Sequence, residues 1–126
     1  MDRLNYSGPE RRRFKRTDHP FNVAFRSQEN PGLPWNLALI QDISSGGLRF
    51  QHDAELPTDS IWVLKINIGL GEPPVKCEGK VLRCLRLNQS NFYEVGMQFG
   101  TLDLQQRGLI DRAVQNLELQ KKKLIP

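Results

Sequence analysis

WNLALIQDISSGGLRFQH, residues 35–52, decides how the rest of the chain is read. WNLALIQDI has the make-up of a β-strand, Ser45-Gly46-Gly47 has that of a tight turn, and LRFQH returns as a second strand. By the period of two, Asp42 and Ser44 point to the same side, so a carboxylate and a hydroxyl face one spot. Glycine lets a backbone take positive φ and lets a ligand come close, which makes Gly46 and Gly47 suited to the turn. Taken alone the pattern D-x-S-x-x-G (Asp42, Ser44, Gly47) is also what a plain strand–turn–strand connection would use.

Outward from this hairpin the same period continues. Upstream, Phe21, Val23 and Phe25 alternate with Asn22, Ala24 and Arg26, and PGLP (31–34) breaks the chain before the hairpin. Downstream, SIWVLKINI (60–68) is rich in β-branched and aromatic residues. GLGEPP (69–74) is a loop before VKCEGKVLRCLRL (75–87), and NQSN separates that strand from FYEVGMQF (92–99). Five or six short strands joined by turns predict a mainly β domain, a small antiparallel barrel or sandwich. After Gly100 the pattern changes. Asp103 is placed to cap a helix, and Leu109, Ile110, Ala113, Val114 and Leu117 form one apolar stripe at helical spacing. The helix reads as a lid on the β-structure, with a partner-binding helix as the alternative. Lys121–Lys123 would complement its dipole.

The 126 residues carry a net charge of +4, and that excess is local. Of 18 cations six, and of 14 acids two, lie within residues 1–16, leaving twelve of each sign in the body. ERRRFKR (10–16) holds Arg11, Arg12, Arg13, Lys15 and Arg16 within six positions. Nucleic-acid binders spread charge over a face of the fold, so a concentrated run beside a neutral body argues against that class. Arginine grips phosphate with two parallel hydrogen bonds, pairs with guanine O6 and N7, or stacks on a base. Asp42 can accept from the N1–H and N2–H2 edge of guanine. Arginines with a carboxylate therefore suit a ligand with both phosphates and guanines.

No apolar run approaches membrane-spanning length and no signal-peptide pattern opens the chain, so the expectation is a cytoplasmic protein with no membrane partner. Cys77 and Cys84 lack CxxC spacing and read as strand cysteines rather than a disulfide or zinc site. His19 and His52 have no triad or metal pattern, and a surface role at turns or strand ends suffices for both. With no G-x-S-x-G, H-E-x-x-H or Walker motif, an enzyme is not expected.

The pair Arg12-x-x-x-Arg16, then a strand, then Asp42-x-Ser44-x-x-Gly47, resembles the PilZ domain family of bacterial cyclic di-GMP receptors. The resemblance covers roughly residues 10–115 and extends to Tyr93-x-x-Gly96-x-x-Phe99, similar to the family's closing strand. It implies a six-stranded β-barrel over about 20–100 with a C-terminal helix over about 103–122; residues 1–9 (MDRLNYSGP), polar, without periodicity and ending in Gly-Pro, are expected to form a flexible N-terminal arm ahead of it. It also implies that cyclic di-GMP binds on the outer barrel wall, as one molecule or an intercalated pair. Arg12 and Arg16 would clamp phosphates and guanine faces, Asp42 and Ser44 would bond a guanine edge, and Gly47 would keep the turn. Arg11 and Arg13 would reach the same anion or face water. Some relatives stack a tryptophan of the fifth strand on guanine; this chain has no aromatic at 81–84, and Arg83 is the candidate for that place. The expected output is an ordering of the arm that switches contact with a downstream partner protein, the chain itself being a monomer or weak homodimer. The alternatives are a PilZ-like protein-interaction module without nucleotide and a small barrel binding nucleic acid.

Overall fold

The computed structural model describes residues 21–69 and 71–124. Six strands and one helix account for most of them: β1 Asn22–Ser27, β2 Asn36–Ile43, β3 Gly47–His52, β4 Ile61–Asn67, β5 Val75–Arg86, β6 Tyr93–Phe99 and α1 Leu104–Leu124. Every strand falls where the alternation predicts one. All neighbours are antiparallel, and the order β1-β2-β3-β6-β5-β4 closes on itself as a barrel. This is the six-stranded antiparallel barrel that the family resemblance implied, where alternation alone allowed a barrel or a sandwich.

The lumen is filled by the inward half of each strand. Val23, Phe25, Phe50, Leu64, Ile66, Val81 and Val95 are fully buried, as the period-two pattern demands of strands with one face on a core. Toward one end Phe25 is met by Phe50 at 4.8 Å, His52 at 5.0 Å and Trp62 at 5.6 Å between ring centroids. His52 is thus not the surface residue that its strand-end position suggests. Its side chain is 14% exposed and lies edge-on to Phe25. The β3–β4 connection crosses this end, burying Leu56, whose N–H donates to Cys84 Sγ at 3.4 Å.

Helix α1 closes the other end. Asp103 caps it as expected: its Oδ1 accepts from Gln106 N–H at 2.7 Å while Gln106 Oε1 accepts from Asp103 N–H at 3.0 Å, a reciprocal capping box. Gln106 also donates to the Lys76 carbonyl and so ties the first turn to the start of β5. Leu109, Ile110 and Ala113 are buried in the same core as the strands, with Val114 and Leu117 packed at its margin. The apolar stripe is a lid.

Cys77 and Cys84 are both on β5 and both free. Burial, reinforced by the neighbouring Glu78 charge, pushes the Cys77 thiol up to about 11. Among the described residues no helix is long and apolar enough to cross a membrane.

Candidate functional site

The outer wall over β2, β3, β6 and β5 holds an open concavity of about 640 Å³. Two departures from regular strand geometry shape it. On β2 the register shifts between Ile40 and Asp42, so Gln41 is an extra residue facing Phe50 and Arg49. On β5 it shifts between Val81 and Arg83, so Leu82 is extra opposite Met97 and Gly96. A bulge puts two consecutive side chains on one face and bends its strand. Here Gln41 with Asp42, and Leu82 with Arg83, all point outward, while Ile43 and Cys84 return to the interior side.

The turn between β2 and β3 is fixed by its own bonds. Ser44 N–H donates to the Gly47 carbonyl at 2.9 Å, and Gly46 N–H donates to Ser44 Oγ at 3.2 Å. Phe99 N–H donates to the Gly46 carbonyl at 2.8 Å, which anchors the turn to the end of β6. The expected positive φ is absent: among the described glycines only Gly69 and Gly71 adopt one. Gly47 is required for another reason. A Cβ there would collide with the Met97 carbonyl oxygen on the backbone of β6. Gly46 has open space where its Cβ would be.

A chain of alternating charges from four strands runs along the wall, with Asp42, Arg49 and Arg83 lining the concavity and Glu94 linking the two arginines. Asp42 Oδ2 is 3.6 Å from Arg49 Nη2, Arg49 Nη1 donates to Glu94 Oε2 at 2.6 Å, and Glu94 Oε1 is 4.0 Å from Arg83 Nη2. Glu94 is the least exposed of these at 19%, so the short Arg49–Glu94 bond is the anchor. Asp42 and Arg83, 58% and 59% exposed, are held more loosely and keep hydrogen-bonding capacity toward solvent.

Asp42, Ser44, Gly47 and Arg83 therefore all line the one concavity. Arg11, Arg12, Arg13 and Arg16 lie outside the described residues. Gly96, read from the sequence only as part of the closing-strand pattern, lines it as well, as do Arg49 and Gln98, which were not singled out from the sequence. Arg49 was within reach of sequence reasoning, since it sits directly opposite Asp42 in the hairpin. Glu94 was not, because 45 residues separate it from Arg49. Among the described residues no aromatic side chain lines the concavity.

Fold and site together define a small closed barrel that presents a polar, charged recess on its outer wall and keeps its lumen for packing. The chain belongs to the PilZ domain family, whose model matches residues 10–116. Among solved structures it is similar to the K. pneumonia MrkH–c-di-GMP complex, at 21% identity and a TM-score of 0.64, over 86% of this chain and 51% of that one. The PilZ domain of Escherichia coli YcgR with c-di-GMP aligns at 12% identity and a TM-score of 0.64, over 82% and 86% of the two chains. The Bacillus subtilis inhibitor of motility MotI/DgrA aligns at 16% identity and a TM-score of 0.64, over 84% and 52%. At such identities the likeness is one of fold, and this chain spans about half the length of the MrkH and MotI chains. No curated protein sequence matches it.

Proposed function

We propose that this protein is a cyclic di-GMP receptor that binds the nucleotide on the β2–β3–β6–β5 wall and uses the bound state to control contact with a downstream protein. The observation that carries the reading is the convergence of Asp42, Ser44, Gly47 and Arg83, from two distant parts of the sequence, on one recess. Asp42 accepts from the N1–H and N2–H2 edge of a guanine, with Ser44 Oγ beside it. Arg83 offers a guanidinium for stacking or phosphate contact in the place a tryptophan takes in some relatives. Arg12 and Arg16, with Arg11 and Arg13 in reach, supply the phosphate clamp.

Chain length permits this closure. The Phe21 carbonyl accepts from Ile40 N–H at 2.9 Å, so the segment before β1 joins the barrel two residues from Asp42. Arg16 lies five positions before Phe21, a reach of up to about 17 Å. An arm that folds over the ligand gives the differential contacts a switch requires.

Isothermal titration with cyclic di-GMP on the wild type, Arg12→Ala and Asp42→Ala tests the site. Loss of a charge-assisted contact costs about 2 kcal/mol, which is at least about tenfold in affinity. Saturable wild-type binding that both substitutions weaken is the expected result. Absence of heat from folded wild type would overturn it and leave a protein-interaction module. Trypsin tests the switch: cleavage within Arg11–Arg16 should slow when ligand is bound, and equal rates would remove the arm from the mechanism.

A further inference from the structure

The wall opposite the concavity, formed by β1, β4 and the first half of β2, carries a second surface with different chemistry. Leu37, Ala24 and Lys65 stand side by side across β2, β1 and β4, and Lys76 of β5 comes next to Lys65. Just ahead of β2, Trp35 is covered by two cations. Arg26 Cζ is 4.2 Å and Lys65 Nζ 4.5 Å from the ring centroid. Leu37 and Leu39 project outward from β2, 73% and 67% exposed.

A lone exposed leucine needs no explanation. Two at successive outward positions of one strand, bordered by a tryptophan, form an apolar strip, and such strips mark interaction sites. The charges beside it are unbalanced. Among the described residues none of Arg26, Lys65 and Lys76 is ion-paired with a carboxylate. Arg26 Nε is buried without a hydrogen-bond partner. Glu78, the nearest acid along β5, accepts from the Gln28 amide at 2.9 Å. The indole face eases the approach of two like charges, but among the described residues neither has an anion beside it.

We infer that this wall is a docking surface for an acidic, amphipathic segment of another protein. Its apolar side chains would cover Leu37, Leu39 and the indole of Trp35, and its carboxylates would meet Arg26, Lys65 and Lys76. Charge decides the occupant. A second copy of this chain docked by the same wall would set the three cations against themselves. The patch includes a tryptophan and an arginine, residue types that dominate binding energy at interfaces. The inference is independent of the nucleotide reading, since none of these residues lines the concavity.

The test is selection of a phage-displayed library of random dodecapeptides on the intact protein, followed by NMR titration of one synthesised winner. The expected winners intersperse Asp or Glu with Leu, Ile or Phe, and shift the Trp35 indole resonance, which Trp35→Phe identifies against that of Trp62. Leu37→Glu and Lys65→Glu, each checked for an intact amide spectrum, should weaken the peptide by about tenfold or more. Winners without acidic bias, or affinity unchanged in both variants, would overturn the inference. So would a stronger response of the Trp35 indole to phosphatidylglycerol vesicles or to single-stranded DNA, because the face would then be reading phosphate.

Discussion

Gly47 and Gly46 sit next to one another in the turn, yet the structure asks opposite things of them. At Gly47 the β6 backbone leaves no room for a Cβ. Backbone cannot move aside as a flexible side chain can, so Gly47→Ala should cost about 1–3 kcal/mol by overpacking. Gly46→Ala meets nothing within 4 Å and should change stability by under about 0.5 kcal/mol. Urea midpoints of the two variants check this, and equal losses would contradict it. The sequence marks both glycines as turn residues, but the reason differs from the expected one. It is an approach between β3 and β6, and those strands are adjacent only in three dimensions. The same distinction runs through the chain of charges. The Asp42–Arg49 pair is local to a hairpin and could be read from its register. The Glu94 anchor depends on strand order, which alternation does not encode.

Strands and helix were legible because each buries one face, and burial imposes a period of two or of 3.6 on the side chains. Bulges were not, because they are defined by the partner strand: VLRC reads as an ordinary continuation until Val81 is paired with Met97 and Arg83 with Gly96. This leads to an expectation at the level of the element. Deleting Leu82 would leave Val81, Arg83 and Cys84 in plain in–out–in alternation opposite Met97, Gly96 and Val95. The barrel should therefore still form, with unchanged far-UV circular dichroism, while the loss of the local bend reshapes the recess and weakens cyclic di-GMP. A deletion variant that fails to fold would mean the bulge serves the core rather than the site. For α1, the exposed Gly108 has helical neighbours and open space for a methyl group. Gly108→Ala should stabilise by about 0.5–1 kcal/mol, seen as a raised thermal midpoint.

Taken whole, the molecule is a cylinder stoppered at both ends, by the β3–β4 connection carrying Leu56 and by α1 carrying Ile110. Because Ile110 is fully buried in the core that the strands share, helix and barrel should unfold together. Ellipticity at 222 nm and tryptophan fluorescence should trace one urea transition, and Ile110→Ala should lower its midpoint by the equivalent of about 2–5 kcal/mol. A helix signal lost ahead of the fluorescence would show that α1 is an accessory and not a stopper. Closure of the sheet was legible only through the family resemblance, which implied the barrel; alternation alone left barrel and sandwich open, because the β1–β4 and β3–β6 pairings join segments distant along the chain. It also restricts how the protein can be recruited. Among the described residues every strand has two neighbours, so the sheet has no terminal strand with one whole side open. Partners that bind by adding a strand of their own to the end of a sheet find no such terminal strand here. Recognition has to be written in side chains on the curved walls, where a handful of substitutions can redirect it without touching the framework.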